Sequence, residues 1–472
     1  MTDIAKKQYL ITNKKITKLN MSEYPISDKL FLYVGQGLNT HFCTDAKGRN
    51  YILLGNAFCT DTAPKSVADD ISSWQGENVD ELTQYWTGRW VLITENQLYT
   101  DACGLMSAFY SADADTFLIS SSLAVISTVS GKKCDSSEIS GKLTYQILPR
   151  TLCDGVRKLL CTQKIEFSKG EMSLKSRIWM TDYREKSTAE KCRETAKMLE
   201  NAALNMSEYS ECNLCVALTA GKDSRLSLAA LLKSGVNFSA YTAEHKNISK
   251  SDREIPLKIS KDFNILYNYI KRGDFSEKRK ADYLNFTSGN SKGADMEFYS
   301  FGQFGKLPAD SIIIRSGIFE AGQIFGRRIA GADVESFVSG MKAYYTALNE
   351  GGNQQKAFDE WVDYITENPC DFIDIRDRYY IEQRVCGWAA AIEQSLDMND
   401  FASIQIANCA KMVSLLLSCN EDERNNLSLS FDTIRLLKPE LMKYPVNKPS
   451  FKDRIMKAGA TVKGILRNLK NR

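Results

Sequence analysis

Apolar positions in the first 180 residues fall into short alternating or continuous pieces. Leu30–Val34, Tyr51–Leu54, Trp90–Thr94 and Phe117–Ser120 are such pieces, with turn signals at Asp45-Ala-Lys-Gly48 and Gly55-Asn56. This pattern predicts antiparallel β-structure. Helices are expected over Pro64–Trp74, with Pro64 suited to the first helical position, and over Val79–Trp86. A further β stretch is expected within Gly155–Trp179, including Thr162–Phe167 and Glu171–Lys175.

The rhythm then changes. A helix is predicted over Thr188–Asn205, followed by a buried strand at Asn213–Leu218. Thr219–Ser224 is a loop of small and polar residues, and Arg225–Lys233 is helical in composition until Gly235 stops it. Phe238–Thr242 reads as a second strand and Ile265–Lys271 as a third. Between them, Ser251-Asp-Arg-Glu254 is a capping-box pattern opening a helix in which Pro256 is tolerable only near the first turn. Such β-α-β-α-β alternation argues for a parallel sheet covered on both faces. Its ligand crevice lies at the carboxyl ends of the strands, where Thr219–Ser224 falls. A strand, a tight loop and a helix N-terminus bring unpaired N–H groups and the positive end of the helix dipole to one place, which suits phosphate. A later strand is expected at Ser311–Arg315, and beyond Gly331 the chain is mostly helical. The basic tail Phe451–Arg472, with Ile455, Ala458, Val462, Ile465 and Leu469 at helical spacing, reads as an exposed capping helix.

Composition narrows the class. At 472 residues, 43% of them apolar and 25% charged, the chain is an ordinary soluble protein of two or three domains. A net charge of +3 argues against nucleic acid or a membrane surface as the main partner. No run reaches the ~18 apolar residues of a membrane span, and the N-terminus lacks a signal's apolar core. Thirteen cysteines, several inside apolar runs (Cys153, Cys161, Cys215, Cys386, Cys419), suggest reduced core thiols in a cytoplasmic protein. Cys212-x-x-Cys215 has ligand spacing but no companion pair, so a core role is favoured over zinc or redox chemistry. His41 and His245, the two histidines, leave little for histidine-based catalysis.

The loop is not a Walker A motif, because Val216 stands where its first glycine belongs and Asp223 separates the lysine from the serine. Thr219-Ala-Gly-Lys-Asp-Ser224 resembles the Ser-Gly-Gly-x-Asp-Ser pyrophosphatase loop of the asparagine synthetase family, with Thr219 for Ser and Ala220 for the first Gly. Upstream, Gly88-Arg-Trp-Val-Leu-Ile93, Asp101-Ala-Cys-Gly104, Phe109-Tyr110 and Ser120-Ser-Ser122 follow the order of that family's glutaminase-like domain. Thr151–Leu159 resembles its linker strand. The resemblance implies an α+β N-terminal domain, an antiparallel sandwich of the Ntn type, over 1–180. It implies an α/β parallel-sheet pyrophosphatase domain with a helical C-terminal part over 181–472. A glutaminase of this kind uses a cysteine after the initiator Met, whereas Thr2 stands here, and its glutamine-holding motifs are absent. The N-terminal domain is therefore expected to be a scaffold without glutaminase activity.

The resemblance also implies the chemistry: a carboxylate attacks the α-phosphate of ATP, and an amine then displaces AMP. Leu218, Thr219, Ala220, Gly221, Asp223 and Ser224 would hold the nucleotide's phosphates, Thr242 would seat adenine, and Gly317 would belong to a second loop. Asp223 and Glu320 would bind Mg2+. Glu320 comes from Ser316-Gly-Ile-Phe-Glu320, similar to the family's second metal loop; a rival register puts Gly322 and Gln323 there instead. Arg327 and Arg328 fit either phosphate contacts or a solvated pair. Tyr380, with Glu382 or Arg384, fits the cleft-facing helix of ring-closing relatives, and also a purely structural helix. Lys448 matches the stretch that supplies a catalytic lysine. Substrates are expected to be a small-molecule, carbohydrate or peptide carboxylate and ammonia or an amine; a homodimer is compatible. Two rival readings are a non-catalytic nucleotide-binding relative and a sulfur-transfer or tRNA-modifying enzyme sharing the loop.

Overall fold

The computed structural model describes residues 3–17, 19–113, 115–135, 142–245, 248–272, 276–290, 306–326 and 329–446. Thr2, Arg327, Arg328, Lys448 and the basic tail lie outside these residues.

The N-terminal strands form two antiparallel six-stranded sheets. One orders Arg157–Lys158, Phe109–Asp113, Thr116–Ser120, Tyr9–Thr12, Leu30–Val34 and Ser22–Ser27. The other orders Glu171–Ser176, Gln163–Ser168, Gln97–Thr100, Trp86–Thr94, Asn50–Cys59 and Thr40–Thr44. Alternate residues such as Tyr9, Ile11, Leu32, Leu54, Val91 and Ile119 meet between them as one core, as period-2 patterning requires.

Three expectations are corrected here. Gly55-Asn56 does not turn the chain: it continues inside Asn50–Cys59 with Gly55 at positive φ. The first helix runs Val67–Ser73 and starts from a Ser66–Asp69 capping box, so Pro64 precedes it. Asn78 caps the second helix, Val79–Thr83, and Trp86 already belongs to the next strand.

The second half is built on a five-stranded parallel sheet ordered Leu266–Ile270, Phe238–Ala243, Asn213–Ala217, Ser311–Arg315 and Ala402–Gln405. The central strand is thus Asn213–Ala217, buried at Leu214, Cys215 and Val216. Ala402–Gln405, inside a stretch expected to be mostly helical, is the edge strand. Its four residues carry too little periodicity to be separated from the helices around them. The helix after Phe238–Ala243 is capped by Ser249 rather than Ser251 and runs Lys250–Asp262 with Pro256 in its interior. Cys153 is not a free thiol but pairs with Cys134, whereas Cys161, Cys215, Cys386 and Cys419 are free and buried. Among the described residues, no helix is long and apolar enough to cross a membrane.

The halves share one apolar core. Phe58, Leu105 and Leu160 from the first pack in the same cluster as Leu199, Ile314 and Tyr379 from the second. Polar clamps reinforce it: Arg89 grips Asp397 through two bonds of 2.6 and 2.8 Å, and Gln8 donates to the same carboxylate. Asn408 reaches the Gly88 carbonyl and Asp101. The motif glycines have architectural reasons. A Cβ on Gly88, at φ 122°, would lie 2.1 Å from the Asn56 carbonyl oxygen, and one on Gly104 would lie 2.8 Å from Cys386 Sγ.

Candidate functional site

The loop leaves the carboxyl end of the central strand and enters the helix Lys222–Ser234, 13 residues long. Gly221 caps that helix with extended backbone and no side-chain bond, leaving the first-turn N–H groups open to an anion. Ala220 is buried and has no positive φ, so alanine fits where the motif family has glycine without backbone strain.

The loop's own N–H groups are engaged. Thr219 N–H donates to Ser224 Oγ (3.1 Å) and Gly221 N–H to Thr219 Oγ1 (3.0 Å). Ala220 N–H donates to Asp252 Oδ1 at 2.9 Å, so the carboxylate of a neighbouring helix stands where a phosphate oxygen would bind. Leu218 and Thr242 close the back of the loop: Leu218 N–H donates to the Tyr241 carbonyl at 2.8 Å, and Thr242 Oγ1 donates to the Leu218 carbonyl at 2.6 Å. A pocket of about 190 Å³ opens beside them, lined by Leu218, Thr219, Thr242, Ala243, His245 and Arg315 among others.

Facing the loop is the second element. Gly317–Gly322 forms a short 3-10 helix after the strand Ser311–Arg315. Gly317 N–H donates to Gln405 Oε1 at 2.7 Å; Gln405 and Arg315 in turn hold Glu393 at 2.8 and 2.7 Å. The Tyr380 hydroxyl bridges the Gly317 carbonyl (3.2 Å) and Glu320 Oε2 (3.3 Å). Glu320 reaches solvent, yet surrounding protein raises its pKa, and the negative charge of Asp223 raises it further. Lys222, Tyr380 and Arg384 act in the opposite direction. Lys222, itself buried, pairs with Asp223. Burial pushes the Tyr380 phenol well up, and the Glu320 charge adds to it.

Asp223, Lys222, Glu320 and Tyr380 therefore share one electrostatic neighbourhood beside the loop. Two neighbouring carboxylates, with the Asp223 charge raising the Glu320 pKa, suit a divalent cation that would join substrate phosphates, because Mg2+ is held by one or two carboxylates plus phosphate oxygens. Among the described residues no group of three or more His, Cys, Asp or Glu side chains forms a metal cage by itself.

Glu382 belongs elsewhere. It is fully buried and accepts from Thr162 Oγ1, Trp361 Nε1 and Arg378 Nε at 2.9, 2.6 and 2.9 Å, none of them from the loop. It is one carboxylate tying the two halves, not a partner of Tyr380. Asp252, Lys222 and Gln405 are site residues that the sequence pattern alone did not single out. Asp252 carried a signal in the capping box, misread by two residues. Arg225 donates to the carbonyls of Ala220 (3.0 Å), Tyr444 (2.7 Å) and Pro445, fastening the segment before Lys448 to the loop. A larger cavity, about 710 Å³, lies at the opposite, amino ends of the parallel strands and is lined by Lys7, Arg89, Ser311 and Asp397 among others. None of the loop residues lines it.

No protein-family model and no curated protein matches this chain. Solved structures similar to parts of it include a glutamine phosphoribosylpyrophosphate amidotransferase from B. subtilis complexed with ADP and GMP. That likeness has 8% identity, covers 66% of this chain and 70% of the other, and has a TM-score of 0.22. An NMN synthetase from Francisella tularensis is 14% identical over 51% of this chain and 96% of its own, with a TM-score of 0.20. An NH3-dependent NAD synthetase from Campylobacter jejuni is 13% identical over 44% of this chain and 96% of its own, also with a TM-score of 0.20. Likenesses this slight leave the reading of the site to its own geometry.

Proposed function

We propose that the protein is an ATP-dependent ligase of the asparagine synthetase type that adenylates a carboxylate and passes the acyl group to ammonia or an amine. The observation that carries this reading is the uncapped helix N-terminus at Gly221, set at the end of a central parallel strand with Asp223 opposite Glu320.

The residues divide the work. First-turn N–H groups and the Ser224 and Thr219 hydroxyls receive pyrophosphate as the bond between the α-phosphorus and its bridging oxygen breaks. The carboxylate oxygen forms the new bond to that phosphorus, giving acyl-adenylate. Lys222 offsets negative charge at the same place. Asp223 and Glu320 would hold Mg2+, which neutralises charge on the leaving phosphates. The amine then forms the amide bond, AMP departs with the C–O electron pair, and the amine's surplus proton passes to solvent or a nearby base. Ser224 Oγ and Thr219 Oγ1 release their bonds within the loop by simple rotation; Asp252 has to yield the Ala220 N–H.

Pyrophosphate release from ATP in the presence of a panel of carboxylic acids tests the reading. Asp223→Ala is expected to lower that release by at least about a hundredfold, as loss of a group acting on transition-state charge does. Undiminished release in the variant would sink the site assignment. The Asp252–Ala220 bond also favours a second reading, a nucleotide-binding protein that does not turn over. ATP raising the melting temperature without pyrophosphate release from any acid would support it.

A further inference from the structure

Glu320 is exposed, while the residues on either side of it, Phe319 and Ala321, are buried. Its own side-chain bond, to the Tyr380 hydroxyl at 3.3 Å, is long. The place of its carboxylate is therefore set by the backbone that carries it. That backbone is the 3-10 helix Gly317–Gly322, and six residues of 3-10 geometry have little stability of their own. The helix is held from outside at both ends. At its start, Gln405 takes the Gly317 N–H and the Tyr380 hydroxyl takes the Gly317 carbonyl. At its end, Arg424 Nη2 donates to the carbonyls of Ala321 at 2.8 Å and Gln323 at 3.2 Å.

Arg424 is buried and comes from a separate helix, Glu421–Asn426. The same fork closes on Asp377 through two bonds of 2.8 Å. Burial pushes the Asp377 carboxyl up to about 6 against the pull of Arg424, so the pair is charged at neutral pH. Asp377 lies in the helix Ile375–Tyr379, which runs on into the π-helix Tyr380–Ala389. Phe325, two residues past Gln323, stacks on Tyr379 at 5.8 Å and meets Tyr380 at 5.6 Å. One guanidinium thus ties the helix leading to Tyr380 to the backbone that carries Glu320. Carbonyls at a buried helix end need donors, and a planar fork that serves two of them and an acid together is what arginine offers and lysine does not.

We propose that Arg424 is a positioning residue of the site: through the Ala321 and Gln323 carbonyls it fixes where Glu320 meets the metal ion, and Asp377 holds it to the Tyr380 helix. Mg2+ demands near-ideal octahedral ligands at about 2.0–2.1 Å, so a carboxylate displaced by a fraction of an ångström binds it less well. Among the described residues, none of the Arg424 hydrogen bonds reaches Thr219–Ser224. Its effect is therefore on the metal ion rather than on the nucleotide's phosphates. This inference rests on the adenylating function proposed above, with Glu320 as a metal ligand.

The test reads Mn2+ binding to the full chain by electron paramagnetic resonance, with a non-hydrolysable ATP analogue present, so no turnover is needed. Glu320→Gln is the reference. The double variant Arg424→Gln/Asp377→Asn removes both buried charges together and is expected to bind Mn2+ about tenfold or more weakly, the scale for losing a residue that orients a metal ligand. Its affinity for the analogue without metal should be unchanged. Arg424→Lys keeps the charge beside Asp377 but not the fork, and should fall between the double variant and the unaltered protein; where the double variant does not fold, the shift in Arg424→Lys decides. Arg89→Lys, in the joint between the halves, should lower the melting temperature and leave Mn2+ affinity as it was. Unchanged Mn2+ binding in the folded Arg424 variants overturns this proposal alone, and so does an equal loss in Arg89→Lys, which would mean general loosening. Loss of analogue affinity without metal would assign the pair to the whole cleft and overturn it too. If Glu320→Gln leaves Mn2+ binding intact, the metal role of Glu320 falls with it; if the unaltered protein binds no analogue, so does the adenylating function.

Discussion

A proton and a metal ion compete for the same oxygens at Glu320. Surrounding protein and the Asp223 charge hold its pKa above the ordinary carboxyl value, and the Tyr380 hydroxyl pulls it down. A protonated carboxyl does not bind Mg2+, so Mg2+ dependence of pyrophosphate release should weaken as pH falls through this raised pKa, above the range of a free glutamate. Tyr380→Phe removes a bond to the ionised form, so the loss should set in at still higher pH. Mg2+ titrations between pH 5 and pH 8 in both proteins check this. Profiles that superimpose would remove Glu320 from the metal site. Ala220 gives a second residue-scale outcome. Because its φ is not positive, Ala220→Gly should keep activity while costing about 0.4–1 kcal/mol of stability through the looser unfolded chain, read by urea denaturation. At this scale the motif was legible for Thr219–Ser224, whose composition is local. Asp252 and Gln405 were not, because they reach the site from other strands and helices, and nothing in sequence spacing records that approach.

The helix Lys222–Ser234 and the residues Tyr444 and Pro445, which follow the short helix Pro439–Lys443, are joined by one side chain. Arg225 is 1% exposed and gives its protons to three carbonyls rather than to an acid, and burial lowers its pKa to about 10. Arg225→Met should cost about 2–3 kcal/mol, since hydrogen bonds from a charged donor vanish and buried carbonyls stay unmatched. It should also reduce turnover more than ATP binding, because the freed segment leads to Lys448. Equal loss of both would mean that Arg225 supports the loop alone. Elements were the most legible scale. The five-element alternation from Asn213 to Ile270 follows directly from buried runs separated by amphipathic ones. What failed did so for identifiable reasons: Gly55 and Asn56 stay in the strand through their pairing with Trp90 and Arg89, and Ser249 outcompeted Ser251 as cap because Asp252 then lies at the third helical position.

At the scale of the whole molecule, the two halves that sequence separates near residue 180 are held as one body. The resemblance to a glutaminase-like layer is carried by Gly88, Asp101 and Gly104, and all three work on the joint. Asp101 accepts from the backbone N–H groups of Leu105 and Met106 and from Asn408 across the boundary, at 2.9, 2.8 and 2.8 Å. Glu382 binds Thr162 of the first half while paired with Arg378 of the second. Lys7 gives its protons to the carbonyls of Asn399 and Phe401 at 2.7 and 2.8 Å, strapping the N-terminal segment onto the loop before the edge strand. A layer bound this way is a structural wall for the second half, and that gives Gly88, Asp101 and Gly104 an architectural role. Arg89→Ala leaves the Asp397 carboxylate buried without its two guanidinium bonds, and should cost about 3–5 kcal/mol. Because the joint is also the floor of the second half, unfolding should remain a single transition in the full chain, and residues 3–180 expressed alone should not give a cooperative melt. Two separate transitions, or a fragment that folds by itself, would show instead that the clamps are surface decoration on independent domains.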